Sequence, residues 1–435
     1  MSFQIKETYA KYIRGNNLIK SFGIYTIAKV INSCIPFFLL PVMTAYLSPA
    51  DYGTISMITT IAAFALPFVS LRVDDAIVRR YYYKNENIAQ YIGNCLIIVG
   101  IAFFLITIFL GGFSSYVSKW SEVPQFIIWF IPLYCLFSFF KNIMLFYWQV
   151  NCQPVKYGLF SILLTLLEVS IAIVLVVYVG MNWMGRAVSL FTAGLIATLF
   201  TIAFFLKHKM IDLTINHQKM SHALKYGAGL IPAGIGASLM MLSNRFFLTE
   251  MISIDETGLY GVATSFASIM SFITLSFNNA FVPWLFEKLN KKDNRTNRNI
   301  VGISYIYMVS LFVIGALLYL AIRFIFPFFV NSSFDGAMKY IPLLLLGYTF
   351  QGCYFMVTNY IMYAEKTYYT AIITIVCGLI SIALNYLLIN AFGAIGAALA
   401  FAITFGVFFL STWIVANRVY PMPWGLIRSF IRKDK

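Results

Sequence analysis

Long apolar runs alternate with short polar segments along the whole chain, and this pattern predicts membrane-spanning helices. A helix rises about 1.5 Å per residue, so about 20 apolar residues cross the roughly 30 Å hydrocarbon core of a bilayer. Twelve runs reach this length, at residues 21–47, 53–78, 89–112, 125–149, 156–179, 186–206, 223–249, 258–285, 300–322, 338–363, 369–391 and 395–416. We therefore expect an all-α, polytopic membrane protein with twelve transmembrane helices.

The composition supports a membrane protein. Hydrophobic residues make up 60% of the 435 residues and charged residues only 11%, whereas a soluble domain carries about 25% charged residues. Residues 1–20 are polar and basic, and the apolar run that follows them is too long for the core of a cleavable signal peptide. The first helix is therefore expected to remain as an anchor.

The basic residues cluster on one side of the predicted helices. With both termini in the cytoplasm, the inner loops and tails hold 23 of the 31 Lys and Arg residues, and the outer loops hold four, Lys119, Arg186, Arg323 and Lys339. Such a bias sets the orientation of a membrane protein. The net charge of +15 is then explained by topology, and it does not indicate a nucleic-acid partner.

Two pairs of short motifs recur at nearly the same offset. The turn at residues 51–53 matches the one at residues 256–258 at an offset of 205, and residues 185–189 match residues 396–400 at an offset of 211. Two ordered matches predict two six-helix halves in the same orientation, a common design of transporters. We expect an N-terminal bundle at 1–207, a cytoplasmic linker at 208–222, and a C-terminal bundle with its tail at 223–435.

The cysteines and histidines do not indicate a disulfide framework or a metal site. The six cysteines form no CxxC pair, and the three histidines, His208, His217 and His222, lie in one polar loop where solvated side chains are expected. Soluble-enzyme motifs are absent from the sequence, and no outer loop is long enough to form a catalytic domain. The sequence predicts a transporter without catalytic residues, metal or cofactor, driven by a gradient or by its substrate.

Lys29 is the basic residue placed deepest in a predicted helix. It lies about 11 residues, hence roughly 16 Å, from the cytoplasmic end of the first helix. A charge near the bilayer centre costs at least ~2.5 kcal/mol, so such a side chain faces the bundle interior or water. One interpretation is a cation that binds an anionic group of the substrate. The alternative is an ion pair with Glu168, the only clearly intramembrane acid.

Three further basic residues fall within predicted helices. Arg72 lies near the cytoplasmic end of the second helix, where a salt bridge with Asp75 at i,i+3 is the local alternative to substrate contact. Lys141 lies in the inner third of the fourth helix, where snorkelling competes with cavity lining. Arg245 lies near the outer end of the seventh helix, where a local structural role competes with ligand contact.

Four intramembrane cations and one acid favour a cavity that binds an anion. The candidate substrate-binding residues are Lys29, Arg72, Lys141 and Arg245, and Glu168 is the candidate for ion coupling.

Several short motifs resemble those of one transporter family. They are residues 47–53 (Leu-Ser-Pro-Ala-Asp-Tyr-Gly), 244–246 (Asn-Arg-Phe), 256–260 (Glu-Thr-Gly-Leu-Tyr), 364–366 (Ala-Glu-Lys) and 393–398 (Gly-Ala-Ile-Gly-Ala-Ala). Together with twelve spans and cytoplasmic termini, they resemble the Wzx-type polysaccharide-export flippases of the MOP superfamily, which also contains the MATE drug exporters. The resemblance covers nearly the whole chain.

The resemblance implies two six-helix bundles around a central cavity. It implies undecaprenyl-pyrophosphate-linked oligosaccharides, the repeat units of O-antigen or capsule, as substrates moved from the inner to the outer leaflet of the bacterial inner membrane. Cations on early helices would hold the pyrophosphate; Lys29 and Arg72 match that pattern, and Lys141 matches it more loosely. Membrane lipids and a polysaccharide polymerase are the further partners implied. Two extra helices typical of lipid II flippases are missing, which argues against that subtype.

Two other functions remain as alternatives. A MATE-like exporter of small organic cations needs acidic residues in its cavity, and Glu168 is the only candidate. A membrane enzyme, such as a polysaccharide polymerase, needs a large outer loop with catalytic residues, which the sequence lacks.

Overall fold

The computed structural model describes residues 17–81, 83, 87–290 and 293–426, apart from the side chains of residues 17–22, 26 and 426. All regular secondary structure in these ranges is helical. In the N-terminal half the helices are α1 (Asn17–Tyr46), α2 (Pro49–Ser70), α3 (Val73–Tyr81), α4 (Ile88–Gly112), α5 (Ser114–Ser121), α6 (Gln125–Val150), α7 (Pro154–Ile173) and α8 (Asn182–Lys207), and a π-helical segment at Val174–Tyr178 extends α7.

In the C-terminal half the helices are α9 (His217–Met251), α10 (Ile254–Leu289), α11 (Asn294–Phe329), α12 (Ile341–Tyr363), α13 (Tyr368–Phe392) and α14 (Ile395–Val419), with 3-10 helices at Ser332–Lys339 and Trp424–Leu426. Within the described residues, twelve helices are long and apolar enough to cross a membrane, namely all except the short α3 and α5. The predicted all-α architecture with twelve transmembrane helices is confirmed.

The chain forms two compact units, Met1–Gly234 and Ile235–Lys435. Within each unit the same pairs of helices pack together. In the N-terminal unit α6 contacts α2 and α8, and α7 contacts α8. In the C-terminal unit the corresponding helix α12 contacts α10 and α14, and α13 contacts α14. This shared packing is what a duplicated six-helix arrangement requires. The predicted domain boundaries at 1–207, 208–222 and 223–435 stay a prediction.

The two outer turns of the repeat start their helices in the same way. Ser48 caps α2 by accepting a hydrogen bond from the Asp51 backbone N–H at 3.1 Å, and Ser253 caps α10 by accepting one from the Glu256 N–H at 3.2 Å. These serines are also 205 residues apart. A serine cap satisfies one of the free N–H groups of a first helical turn. The repeat therefore also includes the serine that caps each of these two helices.

The acidic residues of these two turns differ in their partners. The Asp51 carboxylate accepts a hydrogen bond from the Ser48 backbone N–H at 3.0 Å, which completes a capping box. The Glu256 carboxylate instead pairs with the Lys339 Nζ at 2.7 Å and accepts a hydrogen bond from the Tyr340 hydroxyl. Lys339, expected in an outer loop, lies in a 3-10 helix. This ion pair joins the start of α10 to the segment before α12.

The second predicted span is shorter than its apolar pattern suggested. We expected one helix over 53–78, but α2 ends at Ser70 and the separate helix α3 begins at Val73. Between them Leu71 and Arg72 have φ values of 45° and 52°, in the left-handed region. This conformation interrupts the helix. The residues that follow Arg72 therefore turn away from the direction of α2.

The segment between α8 and α9 is tied to the cytoplasmic end of α4. The Asp212 N–H donates to the Ala89 carbonyl oxygen at 3.1 Å, and the Asn216 N–H donates to the Asn94 side chain at 2.9 Å. The expectation that all three histidines lie in a solvated loop is wrong, because α9 begins at His217 and therefore includes His222. The His222 Nδ1 lies 2.9 Å from the Tyr91 hydroxyl. This segment is thus an ordered part of the N-terminal unit.

A buried group of polar side chains joins three helices of the C-terminal unit. The Ser243 and Ser381 hydroxyls lie 3.1 Å apart, and the Asn385 amide donates to Ser243 at 3.2 Å. The neighbouring Asn244 amide donates to the Ala397 carbonyl oxygen at 2.6 Å. Hydrogen bonds of this kind are common between membrane helices, where apolar surfaces alone provide little driving force for association. They hold α9 against α13 and α14.

Replacing Gly227 by alanine is expected to destabilise the protein by about 1–3 kcal/mol, the usual cost of overpacking. Gly227 is buried in α9, and a methyl group at this position would lie 2.0 Å from the Leu71 carbonyl oxygen. Gly229 is the matched control, since a methyl group there meets no atom within 4 Å. The measurement is the unfolding temperature of the purified chain in detergent. Equal unfolding temperatures for the two variants would contradict this close contact.

Candidate functional site

Lys29 lies within one turn of the middle of the 30-residue helix α1 and its side chain is exposed. Nearby residues of α1, and not Lys29 itself, form the face of this helix that packs on α7. The Cβ of the buried Ala28 would lie 3.1 Å from a methyl group at Gly158, and the Asn32 amide donates to the Ser161 hydroxyl at 2.7 Å. Positions 28 and 32 share one helix face. Lys29 is therefore left outside the contact between α1 and α7.

Glu168 pairs with Arg186, and the alternative in which it pairs with Lys29 is wrong. The Arg186 guanidinium lies 2.7 Å from the Glu168 carboxylate, and the two side chains are 15% and 20% exposed. Arg186 was expected in an outer loop, but α8 already begins at Asn182. Its guanidinium therefore reaches Glu168 on α7 from within a helix. Among the described residues, no acidic side chain forms an ion pair with Lys29.

A third helix contributes to the surroundings of this ion pair. Tyr134 of α6 lies close enough to both Glu168 and Arg186 for their charges to act on its hydroxyl. The Arg186 guanidinium also donates to the Ser189 hydroxyl at 3.2 Å. The pair is thus placed where α6, α7 and α8 meet in the N-terminal unit. Its opposite charges cancel, so it adds no net charge to this part of the membrane.

Arg72 forms the local salt bridge that its spacing predicted. Its guanidinium lies 2.9 Å from the Asp75 carboxylate, and the two side chains are 39% and 29% exposed. A pair with this much solvent contact contributes only about 0–1 kcal/mol to stability. The left-handed backbone at Arg72 sets the direction of the side chain at the break between α2 and α3. A role for Arg72 in substrate binding stays a prediction.

Lys141 lies on the interior face of α6. The residues that share this face, Phe137, Met144 and Trp148, are all buried, with 7%, 0% and 4% of their surfaces exposed. The Trp148 ring packs against Phe160 of α7 with ring centroids 5.0 Å apart. The half-buried Lys141 side chain therefore starts from a face that contacts other helices of the unit. This position favours the interpretation in which Lys141 lines the interior of the unit over the one in which its side chain extends through lipid to the membrane surface.

Arg245 belongs to the C-terminal unit, whereas the other three candidate cations belong to the N-terminal unit. Its charge acts on the hydroxyls of Tyr260 and Tyr348, which are 1% and 2% exposed. Its backbone oxygen accepts a hydrogen bond from the Thr257 hydroxyl at 3.5 Å. These surroundings support the local structural role that was one of the two interpretations. Contact with a ligand stays a prediction.

Asp74 is a polar residue to which the sequence analysis assigned no role. It is 6% exposed at the start of α3, and it lines a cavity of about 20 Å³ together with Tyr81, Tyr147 and several apolar side chains. A cavity of this size holds about one water molecule. Burial and the neighbouring Asp75 charge raise the pKa of Asp74 to about 6, against the opposing effect of Arg72. In the sequence, the two adjacent acidic residues Asp74 and Asp75 near the end of an apolar run are the signal that could have indicated this site.

Among the described residues, no group of three or more His, Cys, Asp or Glu side chains is arranged to hold a metal ion. The candidate residues of the N-terminal unit are cations at different depths, with Lys29 and Lys141 within helices and Arg72 at the end of one. Each can attract an anion through its charge.

Comparison with known proteins identifies the family. A family model described as polysaccharide biosynthesis protein matches residues 18–289, and the MatE model matches residues 235–387. A protein of Haemophilus influenzae described as an uncharacterized membrane protein is 24% identical over 360 residues, which are 81% of this chain and 85% of that protein. A protein of the Lsg locus of Haemophilus influenzae is 21% identical over 359 residues, which are 80% and 86% of the two chains.

Two solved structures of membrane proteins share the fold. The lipid II flippase MurJ in an inward closed conformation superposes with a TM-score of 0.72 at 13% identity, over 90% of this chain and 87% of that one. An inward-facing MATE multidrug transporter gives a TM-score of 0.69 at 12% identity, over 89% and 94% of the two chains. With more than half of its residues matched by one family model, this chain belongs to the polysaccharide biosynthesis protein family.

Proposed function

We propose that this protein moves undecaprenyl-pyrophosphate-linked oligosaccharides, the repeat units of O-antigen or capsule, from the inner to the outer leaflet of the bacterial cytoplasmic membrane. Transport would proceed by alternating access. Membership of the polysaccharide biosynthesis protein family supports transport of a glycan-containing substrate. It also retains the predicted orientation, with both termini in the cytoplasm, because 23 of the 31 Lys and Arg residues then lie on that side.

Lys29 is the observation that carries the proposal. Its side chain is exposed near the middle of a membrane-spanning helix, where contact of a charge with lipid costs at least ~2.5 kcal/mol. Glu168, the acid considered as its partner, is instead neutralised by Arg186. Since contact of a basic side chain with lipid is costly, we infer that Lys29 faces an aqueous space and binds the pyrophosphate as it passes.

The other cations of the N-terminal unit extend this interpretation. Arg72 lies at the end of α2 and remains 39% exposed despite its salt bridge, so it can meet an anionic headgroup near the membrane surface. Lys141 lies on an interior face between these depths. Lysine and arginine bind phosphate oxygens through charge-assisted hydrogen bonds. We propose that Arg72, Lys141 and Lys29 contact the pyrophosphate at successive positions.

The membrane itself provides a driving force for this reaction. An inside-negative potential favours outward movement of an anion by about 2.3 kcal/mol per elementary charge per 100 mV. The polyprenyl chain would remain among membrane lipids while the glycan crosses within the protein. A polysaccharide polymerase that receives the repeat units on the outer side is the protein partner that fits this role.

A MATE-like exporter of small organic cations is the second candidate, and the match of the MatE model to residues 235–387 favours it. Binding of a cation requires an acidic side chain that is available to it. Within the described spans Glu168 is already paired with Arg186, whereas Lys29 would repel the cargo. The charges therefore support an anionic substrate better than a cationic one.

Deletion of this protein is the experiment that tests the proposed function. We expect the deletion strain to lose its surface polysaccharide and to accumulate lipid-linked repeat units on the inner leaflet, and the parent chain to restore display. Sensitivity of the same strain to organic cations provides the comparison with drug export. Normal display in a strain that also lacks other flippases, together with increased drug sensitivity, would contradict the proposal and support the exporter.

A further inference from the structure

Asp74 is a buried carboxylate without a full set of hydrogen-bond partners. Its side chain is 6% exposed, and its Oδ1 atom has no hydrogen-bond partner among the residues that the structure describes. Backbone N–H groups of the first turn of α3, at Asp74 and Asp75, are the donors near the carboxylate. A buried ionised carboxylate with an unsatisfied oxygen is costly, and binding of a proton removes most of that cost.

The positive charge near Asp74 only partly offsets the cost of its ionised form. Arg72 lies within reach of both Asp74 and Asp75, and its guanidinium is already in contact with Asp75 at 2.9 Å. From α4 the titratable group that faces Asp74 is the Cys95 thiol, and from α6 it is the Tyr147 hydroxyl at the cavity. Tyr81 of α3 also lines the cavity. Thiols and phenols are neutral near pH 7, so one guanidinium serves two carboxylates.

We propose that Asp74 is a proton-binding site, and that its proton increases the affinity of the adjacent Arg72 for an anionic phosphate headgroup. With Asp74 protonated, the charges of Arg72 and Asp75 cancel. With Asp74 ionised, the same three residues carry one net negative charge, which repels an anion. The site is suited to a proton because its carboxylate faces a cavity of about 20 Å³, too small for any ligand larger than about one water molecule.

The proton site stands on the geometry around Asp74 alone, whereas the link to anion binding rests on the proposed function. The two effects are coupled, because a proton that favours anion binding is itself held more tightly when the anion is bound. Each unit by which the anion raises the pKa of Asp74 corresponds to about tenfold tighter binding of the anion to the protonated form. A pKa of about 6 places this change between acidic and neutral pH.

Infrared titration of the full chain, purified in detergent, tests the proton site. In the parent, the band of a protonated carboxylic acid is expected to disappear with a midpoint near pH 6, and Asp74→Asn is expected to lack this transition. Asp75→Asn is the second variant. Since the Asp75 charge raises the pKa of Asp74, its removal is expected to shift the midpoint to lower pH. An unchanged transition in either variant would overturn the assignment.

Binding of undecaprenyl pyrophosphate to the same preparations tests the link to Arg72. The parent is expected to bind this probe about tenfold more tightly at pH 5 than at pH 8, and Asp74→Asn is expected to bind it tightly at both values. Equal affinity of the parent at the two pH values, with the infrared transition intact, would overturn the coupling but leave the proton site. Failure of the parent to bind at any pH would count against the proposed substrate instead.

Discussion

Replacing Lys29 by alanine is expected to reduce surface polysaccharide roughly tenfold to a hundredfold, and lipid-linked repeat units are expected to accumulate in the cell. A hydrogen bond to a charged group contributes about 1.5–3 kcal/mol, and each 1.4 kcal/mol is about a factor of ten. Lys29→Glu is expected to abolish display, because it repels the pyrophosphate. Lys29→Arg is expected to retain much of it. The measurement is immunodetection of surface polysaccharide in a deletion strain complemented with each variant.

Val30→Ala is the matched control for this series. Val30 is the next residue of α1 and is 45% exposed, so its truncation tests the effect of a change on the same helix without loss of charge. Similar amounts of each variant in the membrane fraction separate a transport defect from a folding defect. Parent-level display by Lys29→Ala would contradict the assignment of the pyrophosphate to Lys29 and leave Arg72 and Lys141 as the remaining candidates.

Replacing Arg186 by methionine is expected to destabilise the protein by about 3–5 kcal/mol, the usual effect of removing one partner of a buried ion pair. The Glu168 carboxylate, 20% exposed, would then remain without its counterion. The double variant Glu168→Gln with Arg186→Met is expected to recover most of this loss, because no unpaired charge remains. Unfolding temperature in detergent is the measurement. Lys207→Met, at the exposed end of α8, is the control for loss of a charge from the same helix.

The same variants test whether Glu168 takes part in ion coupling. A structural ion pair predicts that the double variant transports like the parent once it is folded. Loss of transport in a stably folded double variant would instead indicate that Glu168 is needed for the reaction. Equal stability of Arg186→Met and the parent would show that the pair contributes little, as exposed pairs do.

The twelve membrane spans were predictable from the sequence because they depend on local properties. Whether a segment enters the bilayer depends on the summed transfer free energies of about 20 consecutive side chains, and all of these are visible in the sequence. The apolar pattern did not show the break at Leu71 and Arg72. That break depends on a left-handed backbone, with φ values of 45° and 52°, which hydropathy does not encode. The contact of Gly227 with the Leu71 carbonyl oxygen joins segments that are distant in the chain.

The sequence by itself thus determined the helix count and the position of Lys29 near the middle of the first helix. Only the tertiary structure decided that Glu168 neutralises Arg186 and not Lys29, and that Asp74 is buried beside a guanidinium already paired with Asp75. The physical reason is the range of the interactions involved. Insertion and capping depend on neighbours within one helix, whereas the partner of a charge depends on which helix faces meet, and that is decided by packing between helices.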